Sequence, residues 1–195
     1  MRVIAELVHP ALVTRSGRVL RRHAARAIVL RGRALLLMYT ARYDDYSFPG
    51  GGIADGEDPV AALRRELAEE TGASRIRVLH AYGTIEEYRP DRSPDHDLMH
   101  MTSHFYTCAI DAELGRTRLE HYEQANGMRP VWIDVDAAIA HNRAVLQRAD
   151  ARMGLSIHRE TFMLDHVATE LGDAAQLPWR PEISFNATMR SPIWS

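Results

Sequence analysis

The residues best placed to do chemistry are three glutamates, Glu66, Glu69 and Glu70. They stand at i, i+3 and i+4, so on a helix they project from one face with their carboxylates close together. Like charges at that separation repel one another and weaken the helix that carries them. A cation seated among them removes the cost, and carboxylate oxygens suit Mg²⁺ or Mn²⁺. Zinc is offered no comparable set. Cys108 is the single cysteine, and the 10 histidines are scattered, with no pair at convincing ligand spacing beside other ligands. His100 and His104 share a strand face only loosely and read as structural or near-site.

The surrounding residues supply the means to hold such a cluster. Asp58 is a good N-cap, Pro59 suits the first helical position, and Gly72 is placed to close the helix. Val60, Leu63 and Leu67 lie about a quarter turn from the glutamates and can anchor the helix to a core. Arg65 stands four residues before Glu69 and can brace that carboxylate, and Glu57 can bond Arg65 or loop amides. Phe48-Pro49-Gly50-Gly51-Gly52 supplies backbone able to approach a ligand closely. The Gly50 carbonyl is the preferred further metal ligand there, and Gly51 is a substrate-contacting position. Tyr43, Tyr46 and Phe48 could stack on a base, although aromatics in such a loop are as often packing residues. Arg42 and Arg89 could meet phosphates. Three glutamates on a helix, taken alone, are usually a solvated face, and glycines after a proline are usually a turn.

The whole segment Gly51–Ala73 tips the balance. It resembles the Nudix box, Gly-x5-Glu-x7-Arg-Glu-aliphatic-x-Glu-Glu-x-Gly-aliphatic, through Gly51, Glu57, Arg65, Glu66, Leu67, Glu69, Glu70, Gly72 and Ala73. All seven charged or glycine positions match. At roughly 1 in 15 per position, chance would produce such a match in about one chain in a million. Ala73 departs from the pattern in being smaller than the usual aliphatic, which touches packing and not the carboxylates. The resemblance implies a Nudix-type helix–sheet–helix sandwich with a mixed β-sheet. It implies Mg²⁺ or Mn²⁺ held by Glu66, Glu69 and Glu70, with Arg65 and Glu57 as orienting partners. One box glutamate could serve instead as a base. Relatives of this kind often add an acidic residue from outside the box as base or extra ligand. Glu123 is preferred for that role over Glu120, Glu86 and Glu87, with Asp95 and Asp97 behind them.

The rest of the chain reads as the frame for this segment. Arg2–Val8 reads as a strand. Ala24–Leu30 and Ala34–Tyr39, joined by Arg31-Gly32-Arg33, read as a hairpin buried on both faces. Residues 42 to 56 read as a loop. Ile76–Gly83, Thr84–Tyr88, Met99–Ile110 and Val131–Ile133 read as extended, and a short helix begins near Asp134 or Val135. Ile157, Leu164, Val167 and Leu171 recur at helical spacing before Gly172. The tail from Asp173, with three prolines and two tryptophans, has no assigned structure. Cys108 reads as a buried core residue.

The 195 residues, 46% hydrophobic with a net charge of −2, fit a single domain, 1–195, with its core at about 20–172. That charge gives no general attraction to nucleic acid or to an anionic membrane. No apolar run approaches the roughly 18 residues a membrane span needs. The reading is therefore a cytoplasmic hydrolase acting on a small nucleotide, with no nucleic-acid or membrane partner and a homodimer as one option. Its substrate would be a nucleoside triphosphate, ADP-ribose, a nucleotide sugar or a dinucleoside polyphosphate. The competing class is a nucleotide-sensing module that binds without turnover. The intact charged positions argue against it. An RNA-cap hydrolase predicts a basic face, which the charge balance does not support.

Overall fold

The computed structural model describes residues 1–91, 93–149 and 152–175. The tryptophan-bearing tail beyond 175 lies outside the described residues. Among the described residues seven strands and four helices follow in order: β1 (Val3–Val8), β2 (Val19–Arg31), β3 (Ala34–Thr40), β4 (Asp45–Ser47), α1 (Pro59–Thr71), β5 (Arg77–Arg89), β6 (Leu98–Ala109), α2 (His121–Ala125), β7 (Met128–Asp134), α3 (Val135–Arg148) and α4 (Ile157–Ala175).

The sheet runs β1-β5-β6-β2-β3-β4, with β7 also paired to β3. It is mixed. β1 lies parallel to β5 and β2 parallel to β6, while the remaining pairs are antiparallel. Most of β2, Val19 to Val29, pairs with β6, and only Leu30 and Arg31 close the hairpin with β3. Successive side chains on β2 and β3 point to opposite faces, so both faces acquire a core. On one face Ala25, Ala27, Val29 and Leu36 meet Leu63 and Leu67 of α1. On the other, Ile28, Leu35, Leu37, Phe48 and Phe105 meet Val135 and Ile139 of α3 and Met163, Leu164 and Val167 of α4. This is the expected sandwich of helix, mixed sheet and helix. The near-continuous apolar runs of β2 and β3 follow from burial on both sides.

Several elements differ from their sequence reading. In place of two extended segments, Ile76–Gly83 and Thr84–Tyr88, there is one strand, Arg77–Arg89, whose register slips between Val78 and His80 and again between Ala81 and Gly83. The irregularities break the alternation from which a single strand would be recognised. The short helix after β7 is the 14-residue α3. The 42–56 loop contains the three-residue β4. Gly172 does not end the last helix, which continues to Ala175.

A charge network ties α3 and α4 to the segment entering the glycine loop. Arg159 is 2% exposed, and its guanidinium bonds Glu87 of β5 and Glu160, each at 2.6 Å. The other carboxylate oxygen of Glu160 accepts from the Phe48 N–H at 3.0 Å. Asn142 of α3 brackets Tyr46, accepting from its N–H and donating to its carbonyl, both at 2.9 Å. Asp45, buried beside Glu160 and Asp44, is pushed up to about 7, mainly by desolvation. Residues 45 to 48 are thus held on both sides immediately before Pro49 and Gly50.

Candidate active site

Helix α1 begins and ends where its residues dictate. The Asp58 carboxylate accepts from Val60 and Ala61 N–H at 3.1 and 2.9 Å. Pro59 costs nothing in a turn whose N–H has no helical partner. Gly72 takes the left-handed conformation at φ 70° and its N–H reaches the Ala68 carbonyl at 3.0 Å. With Leu63 and Leu67 fully buried, the helix is fixed in rotation. Glu66 and Glu70 turn toward Gly51 and Gly50 of the loop.

The three glutamates have unlike surroundings. Glu70 is the most deeply buried, at 5% exposure, and its Oε2 accepts from the Gly50 N–H at 2.6 Å. Burial pushes its carboxyl up to about 8. Arg26 and the Gly50 N–H oppose that shift, and the carboxylates of Glu123 and Glu66 add to it. Glu66 is also raised, by burial first, against the pull of Arg65. Its carboxyl group lies against Gly51, where a Cβ would fall 2.4–2.5 Å from it. Glu69 is the outermost of the three, with a 36% exposed side chain.

Arg65 connects the set. Its Nη1 bonds Glu66 at 2.7 Å and stands 3.6 Å from Glu69. Its Nε and Nη2 bond the two Glu57 oxygens at 3.2 and 3.3 Å. Glu57 also accepts from the Ala54 N–H at 3.0 Å. The Arg65 guanidinium holds its carboxyl below the usual range.

Glu123 lies on α2, a five-residue helix, where it is 7% exposed. Its Oε2 accepts from the Glu120 N–H at 2.8 Å, closing a capping box, and its Oε1 accepts from the Tyr122 hydroxyl at 3.1 Å. Its charge adds to the rise of both Glu66 and Glu70. The alternatives are committed elsewhere. Glu87 pairs with Arg159, and Glu86 accepts from Thr102 at 2.7 Å and stands 2.6 Å from His100.

One residue of the site escaped sequence reading. Arg26 of β2 donates from Nη1 to the Gly50 carbonyl and, at 3.2 Å, to the Phe48 carbonyl, and its charge acts on Glu70. The available signal was a lone cation within the apolar run Ala24–Leu30, where an arginine is out of place unless paired.

The substrate candidates separate. Phe48 is not free to stack on a base: its ring is fully buried, edge-on to Phe105 at 5.6 Å. Tyr46 is packed between Tyr39 and His141. Tyr43 and Arg89 line one cavity of about 260 Å³ with Met99, Gly154 and Ser156. Arg42 bonds the Asn126 side chain at 3.1 Å.

The donor set fits a hard divalent cation. Glu66 and Glu70 meet the Gly50–Gly51 loop and offer only oxygen, and burial first, then neighbouring carboxylates, raise both. Among the described residues no three acidic or histidine side chains converge on one point. Each inner carboxylate is engaged separately: Glu66 by Arg65, Glu70 by Gly50, and Glu123 by its own helix cap.

A model of the NUDIX domain matches residues 20–153. An RNA pyrophosphohydrolase of Actinobacillus succinogenes is 30% identical over 142 residues, covering 63% of this chain and 68% of that protein. One from Helicobacter pylori strain G27 is 51% identical over 83 residues, covering 43% of this chain. The chain spans about half the length of such relatives, 48% in that case. The crystal structure of a MutT protein from Bacillus halodurans superposes with a TM-score of 0.50 at 19% identity, covering 75% of this chain and 81% of that one, a likeness of fold.

Proposed function

This chain belongs to the NUDIX domain family, and from that premise we propose that it is a divalent-metal-dependent hydrolase of the diphosphate bond in a nucleoside-diphosphate-like substrate. One observation supports the reading: on α1, Glu70 accepts from the Gly50 N–H and the Glu66 carboxyl lies against Gly51, beside a loop with no side chains to obstruct it. Glu66, Glu69, Glu70 and the Gly50 carbonyl would hold the ion, Mg²⁺ or Mn²⁺. When bound, it would neutralise the diphosphate and bring the pKa of water toward neutrality.

The protein's own part is orientation. The Gly50 N–H fixes Glu70, and Arg65 fixes Glu66 and Glu57. Glu123, held by α2, is the candidate to take the proton of the attacking water. Tyr43 and Arg89, meeting in their cavity, are the candidate contacts for the remainder of the substrate, with Gly51 lining the approach.

The substrate class is a small nucleotide: a nucleoside triphosphate, ADP-ribose, a nucleotide sugar or a dinucleoside polyphosphate. A second reading, the triphosphate at an RNA 5′ end, is favoured by the name shared by several relatives. No helix among the described residues is long and apolar enough to cross a membrane, and a cytoplasmic setting suits the single buried cysteine.

The test is hydrolysis by the full chain with Mg²⁺ or Mn²⁺. The panel would hold those four nucleotide classes and a 5′-triphosphorylated RNA oligonucleotide. Metal-dependent release of phosphate, pyrophosphate or nucleotide, abolished by Glu66→Gln, supports the reading. The most rapidly cleaved compound decides between the substrate classes. Binding without turnover across the panel would move the assignment to a nucleotide sensor.

A further inference from the structure

Arg26 occupies an unusual position for a structural arginine. Its Nη1 donates to the carbonyls of Gly50 and Phe48, and its charge lies within electrostatic reach of Glu70. Yet its Nε is buried with no hydrogen-bond partner among the described residues. A guanidinium placed for structure alone would be expected to satisfy its donors, most of all those shut away from water. This one instead holds a loop carbonyl that a divalent ion would take, with its charge near the most buried carboxylate of α1. Near it each inner carboxylate is engaged apart from the others, Glu66 by Arg65, Glu70 by the Gly50 N–H and Glu123 by its helix cap.

We propose that Arg26 is an internal stand-in for the divalent ion. In the ion-free protein it supplies positive charge to the acidic cluster and occupies the Gly50 carbonyl, so the ion must displace it to bind. The inference rests on the metal-dependent reading of the site and adds to it a competing cation built into β2. Two consequences follow. The folded loop keeps its shape without an ion, because Arg26 joins it to the strand. The ion's affinity is also set lower than its oxygen donors alone would give, because a like charge and an occupied carbonyl oppose its entry.

The test is a titration of Mn²⁺ into the full-length protein. Free Mn²⁺ is followed by electron paramagnetic resonance without substrate, and the fold by far-ultraviolet circular dichroism. Arg26→Gln keeps a donor for the loop carbonyls and removes the charge, while Arg26→Met removes both. Arg26→Lys keeps the charge and loses the fork. Arg26→Gln and Arg26→Met should each bind Mn²⁺ on the order of tenfold more tightly than wild type, and Arg26→Lys should stay within about threefold of it. If Arg26→Met fails to fold, Arg26→Gln carries the test alone. Folded variants that bind Mn²⁺ as wild type does, or more weakly, would overturn the stand-in and leave the metal-dependent reading intact. A wild-type protein that binds no Mn²⁺ would overturn both.

Discussion

The Gly50 N–H points at Oε2 of Glu70 across 2.6 Å, joining the glycine loop to the most buried carboxylate of α1. A glutamine can accept the same N–H, so Glu70→Gln should fold normally. Its thermal stability should then differ from wild type in a pH-dependent way. The Glu70 carboxyl is raised from 4.5 to about 8, so the folded chain keeps a proton that the unfolded chain loses between those values. The stability this contributes is complete below about 4.5 and drains as pH climbs toward 8. Without added metal, the melting temperature of Glu70→Gln relative to wild type should therefore improve from about pH 5 to about pH 8. A difference that stays flat across that interval would show that Glu70 is ionised in the fold. Turnover should fall by about 10²-fold or more, since the amide carries no charge for an ion.

Two adjacent glycines should respond differently to one added methyl group. At Gly50, φ is 130° and a Cβ would sit 2.1 Å from the Ala25 carbonyl, which is backbone and cannot move aside. Gly50→Ala should cost on the order of several kcal/mol of stability. At Gly51 the obstacle is the Glu66 carboxyl group at 2.4–2.5 Å, the far end of a flexible side chain. Gly51→Ala should melt within a few degrees of wild type yet lose most of its turnover, because Glu66 is displaced. Urea denaturation and an initial-rate assay on the two proteins check this. Equal stability losses would refute the distinction.

The helix was legible to the residue, from Pro59 to Thr71, because its signals are local: an aspartate cap, a proline at the first position, a glycine at the end. The hairpin and the terminal helix were legible from their apolar runs. What stayed hidden depends on contacts distant in sequence. α2 rests on a capping box in a segment too short for periodicity to show, and β5 conceals its continuity behind two irregularities. Arg26 reads as an interruption in a strand until Gly50, 24 residues away, is folded over it. Phe48 had the right composition for stacking, but only the packing of Phe105 and the Glu160 bond to its backbone reveal it as core.

Arg159 should tolerate no uncompensated loss. It is buried between Glu87 and Glu160, so Arg159→Met strands two carboxylates in the interior. The expected cost is about 3–5 kcal/mol, read from urea denaturation midpoints. Replacing all three residues, as Glu87→Gln, Arg159→Met and Glu160→Gln together, removes the stranded charges. The glutamine at 160 can still accept from the Phe48 N–H, so the triple variant should recover part of that loss. A single variant with a stability near wild type would mean that water reaches the network.

Glu123 offers the sharpest separation of roles within the site. Its two oxygens are already engaged by the Glu120 N–H and the Tyr122 hydroxyl. In Glu123→Gln the amide oxygen can accept from Glu120 while the amide nitrogen donates to the Tyr122 oxygen, so α2 should keep its cap and its place. What the variant lacks is an acceptor for a proton. If Glu123 removes the proton from the attacking water, kcat should fall by about 10²–10⁴-fold, with Mn²⁺ affinity within about threefold of wild type. Glu120→Gln, altered at the exposed end of the same helix, should retain near wild-type turnover. A Glu123→Gln protein that binds Mn²⁺ far more weakly would make Glu123 a ligand of the ion instead, and unchanged kcat would remove it from the reaction.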